Sequence, residues 1–185
     1  GLSANSPCID AGTQVGMWFL GSAPDIGAFE FSPLGVFQTT KISDILGLPD
    51  GTAIRLSGVV VTVETGVFAN EIYVEDESRA CGILVKVTPD MLPGYEGMRI
   101  AVHVAVNTES NGQRSIDASM LDYVGVGEPL RALGLPGKSV GAEGLSNVSL
   151  LVKTWGRVMF SCSRFFTIDD GSAMTDGLGH SGVPV

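Results

Sequence analysis

Ser57-Gly58-Val59-Val60, Ile72-Tyr73-Val74-Glu75-Asp76-Glu77-Ser78 and Gly82-Ile83-Leu84-Val85 follow one another in the first half of the chain. Trp155-Gly156-Arg157-Val158, Phe166-Thr167-Ile168-Asp169-Asp170-Gly171-Ser172 and Gly182-Val183-Pro184-Val185 repeat that order near its end. Each set is a strand-like segment with a glycine at its second position, a second strand ending in acidic and polar residues, and a third strand opened by glycine. Self-similarity of this kind is a statement about architecture before any single residue is considered. The first copy runs on into two more strand-like segments. The second has no residues left for them, so it reads as three strands of a unit that something outside these residues completes.

Working outward from the first copy, Ile54 to Glu64 is a long β-branched strand, and Gly58 within it predicts a bulge or bend. Thr65 to Asn70 reads as a loop, Glu71 to Glu75 as a strand, and Gly82 to Val87 as another. Pro89 to Gly97 reads as a loop with room for one helical turn. Arg99 to Val106 alternates, with Ile100, Val102, Val104 and Val106 on one face and His103 on the other. Asn111-Gly112 marks a hairpin turn into a last strand, Arg114 to Val126.

A long bent strand, a meander, a spacer and a closing hairpin describe a small five-stranded barrel. Residues 54–126 resemble the OB-fold superfamily, in particular its tRNA-anticodon and helicase-type branch, through Gly58, Asp76 and Gly82-Ile83-Leu84-Val85. Strand four in that branch often carries a glycine, where this chain has Val102-His103-Val104-Ala105-Val106.

The fold class expected is therefore all-β: one OB-type barrel over residues 54–126, then a partial second OB-like unit over 145–185. Residues 34–53 read as a connector in which Lys41 to Leu46 allows one helical turn, and residues 127–144 as a Gly/Pro linker. Residues 1–33 are punctuated by Gly and Pro. Ser6-Pro7-Cys8-Ile9-Asp10-Ala11-Gly12 and Ala23-Pro24-Asp25-Ile26-Gly27-Ala28-Phe29-Glu30-Phe31 resemble the last turns of secreted right-handed parallel β-helix proteins. In that family such phrases belong to terminal rungs and cap, so Asp10, Asp25 and Glu30 read as structural acceptors of turn backbones. The same resemblance implies an extracellular or cell-surface location.

Composition bounds the function. Of the 185 residues, 44% are hydrophobic and only 17% charged, with 25 glycines, so the chain can bury a core. The net charge of −9 argues against polyanion partners, because nucleic-acid affinity rests on Lys and Arg neutralising phosphates. No stretch reaches the length of a membrane-spanning helix. Cys8, Cys81 and Cys162 have no metal-ligand spacing and read as buried free thiols, with one long-range disulfide as the alternative.

No nucleophile–base–orienter set stands at recognisable spacing around His103 or His180. Glu75-Asp76 and Asp169-Asp170 are neighbours on strand ends, where adjacent side chains diverge, so they do not make a glycosidase-type pair. Asp169, Asp170 and Asp176 lie in a Gly-rich loop with the oxygen-rich composition that Ca²⁺ requires, against the plain alternative of carboxylates capping turn amides. Asn147-Val148-Ser149 has the pattern of a glycosylation sequon.

OB folds bind ligands on the face of strands two and three and through two flanking loops. That implies Phe68, Asn70, Tyr73, Arg79, Lys86, Asn111 and Arg114 as the ligand-binding residues here. Tyr73 is the candidate stacking platform for a base or sugar ring. The function expected is a non-catalytic binding or spacer module of a larger extracellular protein, associated with polysaccharide. The alternatives are a subunit completed by strand addition in trans, by another copy of the chain or another partner, and a single-stranded nucleic-acid binder.

Overall fold

The computed structural model describes residues 5–13, 22–26, 36–91, 95–141 and 147–185. Its centre is a closed five-stranded barrel built from β2 (Ala53–Phe68), β3 (Glu71–Glu75), β4 (Gly82–Lys86), β5 (Met98–Thr108) and β6 (Arg114–Val126). β2 pairs antiparallel with both β3 and β5, β3 with β4, and β5 with β6, while β4 and β6 run parallel. The β2–β5 pairing closes the sheet on itself, which removes the free edges a five-stranded sheet would otherwise expose.

Gly58 makes that closure workable. It adopts a φ of +76°, and the β2–β5 register shifts between Ser57 and Val59. The extra residue changes which side chains point inward. Ile54 and Leu56 face the core before it, and Val59 and Val61 after it. The core is completed by Ile72, Val74, Ile83, Val85, Ile100, Val102, Val106, Ile116 and Leu121, with Ile42 and Ile45 buried in the same cluster. All are aliphatic, as alternation on a curved sheet demands.

Two expectations change. β2 does not stop at Glu64 but continues to Phe68, so the loop expected over 65–70 shrinks to a two-residue turn, Ala69-Asn70. Asn70 carries the positive φ of 58° that such tight turns need and that Asn tolerates. The cysteines are free, but Cys8 and Cys81 are only half-buried and Cys162 is exposed.

The second unit holds a three-stranded antiparallel sheet, β11 (Val183–Pro184), β10 (Phe166–Asp169) and β9 (Arg157–Ser161) in that order. The internal likeness extends further towards the N-terminus than the strand pattern shows. In the first unit β1 (Phe37–Thr39) pairs parallel with β2, and a single 3-10 turn, Ile42–Asp44, follows it. In the second, β7 (Leu133–Gly134) pairs parallel with β8 (Val152–Lys153), and the short helix α1 (Gly137–Gly141) follows β7.

The helical turns are fastened alike. Asp76, after β3, accepts the Ile42 N–H at 2.8 Å through Oδ2 and the Ser78 N–H at 3.0 Å through Oδ1. Asp170, after β10, accepts the Gly137 N–H at 2.7 Å and the Ser172 N–H at 3.0 Å through the same two oxygens. The segments read as connector and linker thus each place a backbone amide on an aspartate that follows a strand. An aspartate at the end of a strand satisfies the orphan amides at the start of a helical turn.

Near the N-terminus, Asp25 Oδ1 accepts the Asp10 N–H at 2.8 Å, and Asp10 Oδ1 accepts the N–H groups of Ser22 and Ala23. Both carboxylates serve turn backbones. Glu30 and the strand expected around it lie outside the described residues. Among the described residues no helix is long and apolar enough to cross a membrane.

Candidate functional site

On β3 and β4 the buried Ile72, Val74, Ile83 and Val85 alternate with Glu71, Tyr73, Gly82, Leu84 and Lys86, which therefore stand on the outer side. This is the face expected to bind a ligand. Part of it is already covered from within the chain. Glu75 Oε1 accepts the Leu151 N–H at 2.6 Å, Arg79 Nη2 donates to the Arg131 carbonyl, and Gln113 Nε2 donates to Ser149 Oγ at 2.8 Å. At Gly82 the approach is so close that an added Cβ would stand 2.0 Å from the Ser149 carbonyl oxygen. Only glycine admits the second unit there.

Between this crossing segment and the β5–β6 hairpin lies a cleft of about 370 Å³. Asn111, Gly112, Gln113 and Arg114 line one wall, and Val148 and Ser149 the other, with Leu46, Cys81 and Gly82 completing it. The hairpin tip is preorganised. Asn111 Oδ1 accepts the Gln113 N–H at 2.9 Å. Arg114 is anchored by Asp50, Thr108 Oγ1 and the Leu48 carbonyl, so its charge is already matched.

Of the seven expected ligand residues, the structure brings Asn111 and Arg114 together in this cleft. Phe68 and Tyr73 meet edge-to-face with centroids 5.9 Å apart, beside the turn that holds Asn70. Lys86 is paired with Glu109 at 2.6 Å, and Glu109 also accepts from Ser115 Oγ at 2.5 Å. That contact raises the Lys86 pKa and holds the Glu109 carboxyl below its ordinary value. Arg79 belongs to the junction, its Nε lying 3.5 Å from the fully buried Glu75 Oε2 without hydrogen-bond geometry. Gln113, Cys81, Val148 and Ser149 were not singled out as ligand-binding residues. Their roles arise from the packing of the second unit on the first, which no local pattern encodes.

The three aspartates expected to hold Ca²⁺ each accept backbone amides. Asp169 Oδ1 accepts the Gly171 N–H at 2.9 Å, and Asp170 is committed to Gly137 and Ser172. Asp176 Oδ1 accepts the amides of Leu178 and His180, while Oδ2 lies 2.6 Å from His180 Nδ1. Among the described residues no group of three or more His, Cys, Asp or Glu side chains is placed to hold a metal ion. The His180 ring stacks on Phe160 at 3.9 Å, and His103 Nε2 lies 2.8 Å from Asp122 Oδ2.

The fold is all-β, with a closed five-stranded barrel against which the segment around Ser149 and Leu151 is packed. Comparison of the chain with protein-family models, with curated proteins and with solved structures returns no match.

Proposed function

We propose that the chain is a non-catalytic binding and spacer module of a larger extracellular protein, with an OB-type first unit and neutral polysaccharide as its ligand. The barrel's strand order and the bulge at Gly58 support the OB assignment. The service of Asp10 and Asp25 to turn backbones is in keeping with a β-helix-like terminal segment, and through it with secretion.

The observation that carries the ligand class is the lining of the junction cleft. Its side-chain hydrogen-bonding groups are the amides of Asn111 and Gln113 and the hydroxyl of Ser149, beside an arginine matched by Asp50. Amides and hydroxyls both donate and accept, which suits hydroxyl-rich ligands. An anionic backbone finds less there. Arg79, Lys86 and Arg114 are each paired with a carboxylate, and the whole chain carries −9.

Calorimetric titration with neutral xylan, glucan and mannan fragments, beside oligothymidylate, tests this reading. Salt-insensitive glycan binding that weakens in Asn111→Ala and Gln113→Ala supports it. Binding of oligothymidylate alone, with a steep salt dependence, replaces it with the nucleic-acid reading. Assembly by strand addition is the second reading, favoured by the apolar surface of the second unit.

A further inference from the structure

We propose that the barrel carries a second binding site, for a small hydroxyl-rich carboxylate of the sugar-acid class, in the cleft beside the Gly58 bulge. This inference is independent of the junction cleft and of its neutral ligand. The cleft holds about 330 Å³. It is bounded by the bulge of β2, the turn after β3, the start of β5 and the stretch between β1 and the 3-10 turn. Gly58 lines it, and nothing stands within 4 Å of the place its Cβ would take. Bulges of this kind re-aim the side chains beside them.

The polar groups of the lining are of two kinds. Asp76 is committed to the fold, since it accepts the Ile42 and Ser78 amides and the Ser78 hydroxyl. Other groups are not committed. Among the described residues the Lys41 ammonium and the hydroxyls of Thr40 and Ser57 have no hydrogen-bond or ion-pair partner. Arg99 completes the set. Its Nη1 lies 2.6 Å from the carboxylate of Glu77, whose side chain is 74% exposed. A pair so open to water is held weakly. Glu77 thus marks where a carboxylate sits against Arg99, and it can yield that place to the carboxylate of a ligand.

These groups specify the ligand. Lys41 and Arg99 supply two cations for one carboxylate, and the arginine fork matches carboxylate geometry. The hydroxyls of Thr40 and Ser57 can both donate and accept, as the ring hydroxyls of a sugar acid require. A phosphate dianion is a poorer occupant. Asp76 lines the same cleft, and Asp44 lines the groove that continues from it past Thr40 and Lys41.

The probe is sodium galacturonate, added to the isotope-labelled intact chain and followed by amide NMR shifts, with glucose and inorganic phosphate as comparisons. The expected result is saturable shifts at Thr40, Lys41, Ser57, Gly58 and Glu77 with galacturonate and none there with glucose. Lys41→Ala should weaken binding about tenfold or more, the loss of a charge-assisted contact. Glu77→Gln should tighten it about two- to fivefold, because the competing carboxylate is gone. Both residues are exposed, so both variants should fold. A Glu77 that served only the fold would give no such gain. The junction cleft is read separately at Asn111 and Gln113, so failure here leaves that reading intact. Absence of saturable shifts with galacturonate, equal shifts with glucose, binding of phosphate alone, or unchanged affinity in Glu77→Gln would each overturn the proposal.

Discussion

Glu75 in the barrel accepts the backbone N–H of Leu151 in the second unit at 2.6 Å, across 76 residues of sequence. The carboxylate is fully buried, and its other oxygen faces Arg79, which in turn donates to the Arg131 carbonyl. Glu75 and Arg79 of the barrel thus each hold one backbone group from the segments that follow it, the Leu151 N–H and the Arg131 carbonyl. Their loss should be felt as loss of coupling between the units as well as loss of stability.

Glu75→Ala should lower unfolding stability by about 1–3 kcal/mol, the cost of leaving the Leu151 N–H without its acceptor. It should also split a single calorimetric transition into two. A single transition with an unchanged midpoint would remove the junction from the account.

Gly82→Ala should act on the same contact by sterics alone. Its Cβ would stand 2.0 Å from the Ser149 oxygen, both groups being backbone-anchored. The second unit should be displaced while the barrel stays folded. NMR spectra of the variant should show shifts concentrated at Gln113, Ser149 and Leu151 and native-like signals for the Ile100 and Val102 core.

Asp76→Ala should cost about 1–2 kcal/mol by releasing the amides of Ile42 and Ser78. Asp170→Ala should free Gly137 and Ser172 and leave the barrel's melting unaltered. A comparable loss of barrel stability in both variants would contradict the one-aspartate-per-unit plan.

Acid should loosen the turns held by Asp170 and Asp176. Asp170 is held below its ordinary value of 3.8, chiefly by the Ser172 side chain and next by the Gly137 N–H. Asp176 is held below 3.8 chiefly by its hydrogen bond with His180. A depressed folded-state value gives stabilisation that is complete above the unfolded value and disappears as pH falls through the folded one. Amide exchange at Gly137, Leu178 and His180 should be flat above the ordinary carboxylate range and accelerate as pH falls below it. Onset above the ordinary carboxylate range would contradict the assignment.

Thiol labelling should separate the cysteines. Cys162 lies exposed between β9 and β10, whereas burial, and then the Asp76 charge, raise the Cys81 pKa above its ordinary 9.0. Cys162 should react first with a disulfide reagent and Cys81 last, since the thiolate is the reactive form.

The barrel was legible because its core is written in period-two alternation and the bulge between Ser57 and Val59 falls on Gly58, a residue that a bulge favours. The end of β2 was not, since Gly66 and Asn70 look like loop residues whether they bend a strand or leave it. The repeat was visible in the strands but hidden in the segments before them. There the likeness is carried by the hydrogen bonds of Asp76 and Asp170 to helical turns of different sequence. Of the cleft lining, Asn111 and Arg114 could be anticipated from the hairpin. Gln113, Val148 and Ser149 could not, because they meet only through the packing of one unit on the other.

The central claim is that the junction cleft is the binding site. Its most direct measurement is an NMR titration of the isotope-labelled chain with the neutral oligosaccharide fragments. The account predicts saturable shifts confined to Leu46, Cys81, Asn111–Arg114, Val148 and Ser149. Saturable shifts centred on Phe68 and Tyr73 instead, or no shifts with any fragment, would contradict it.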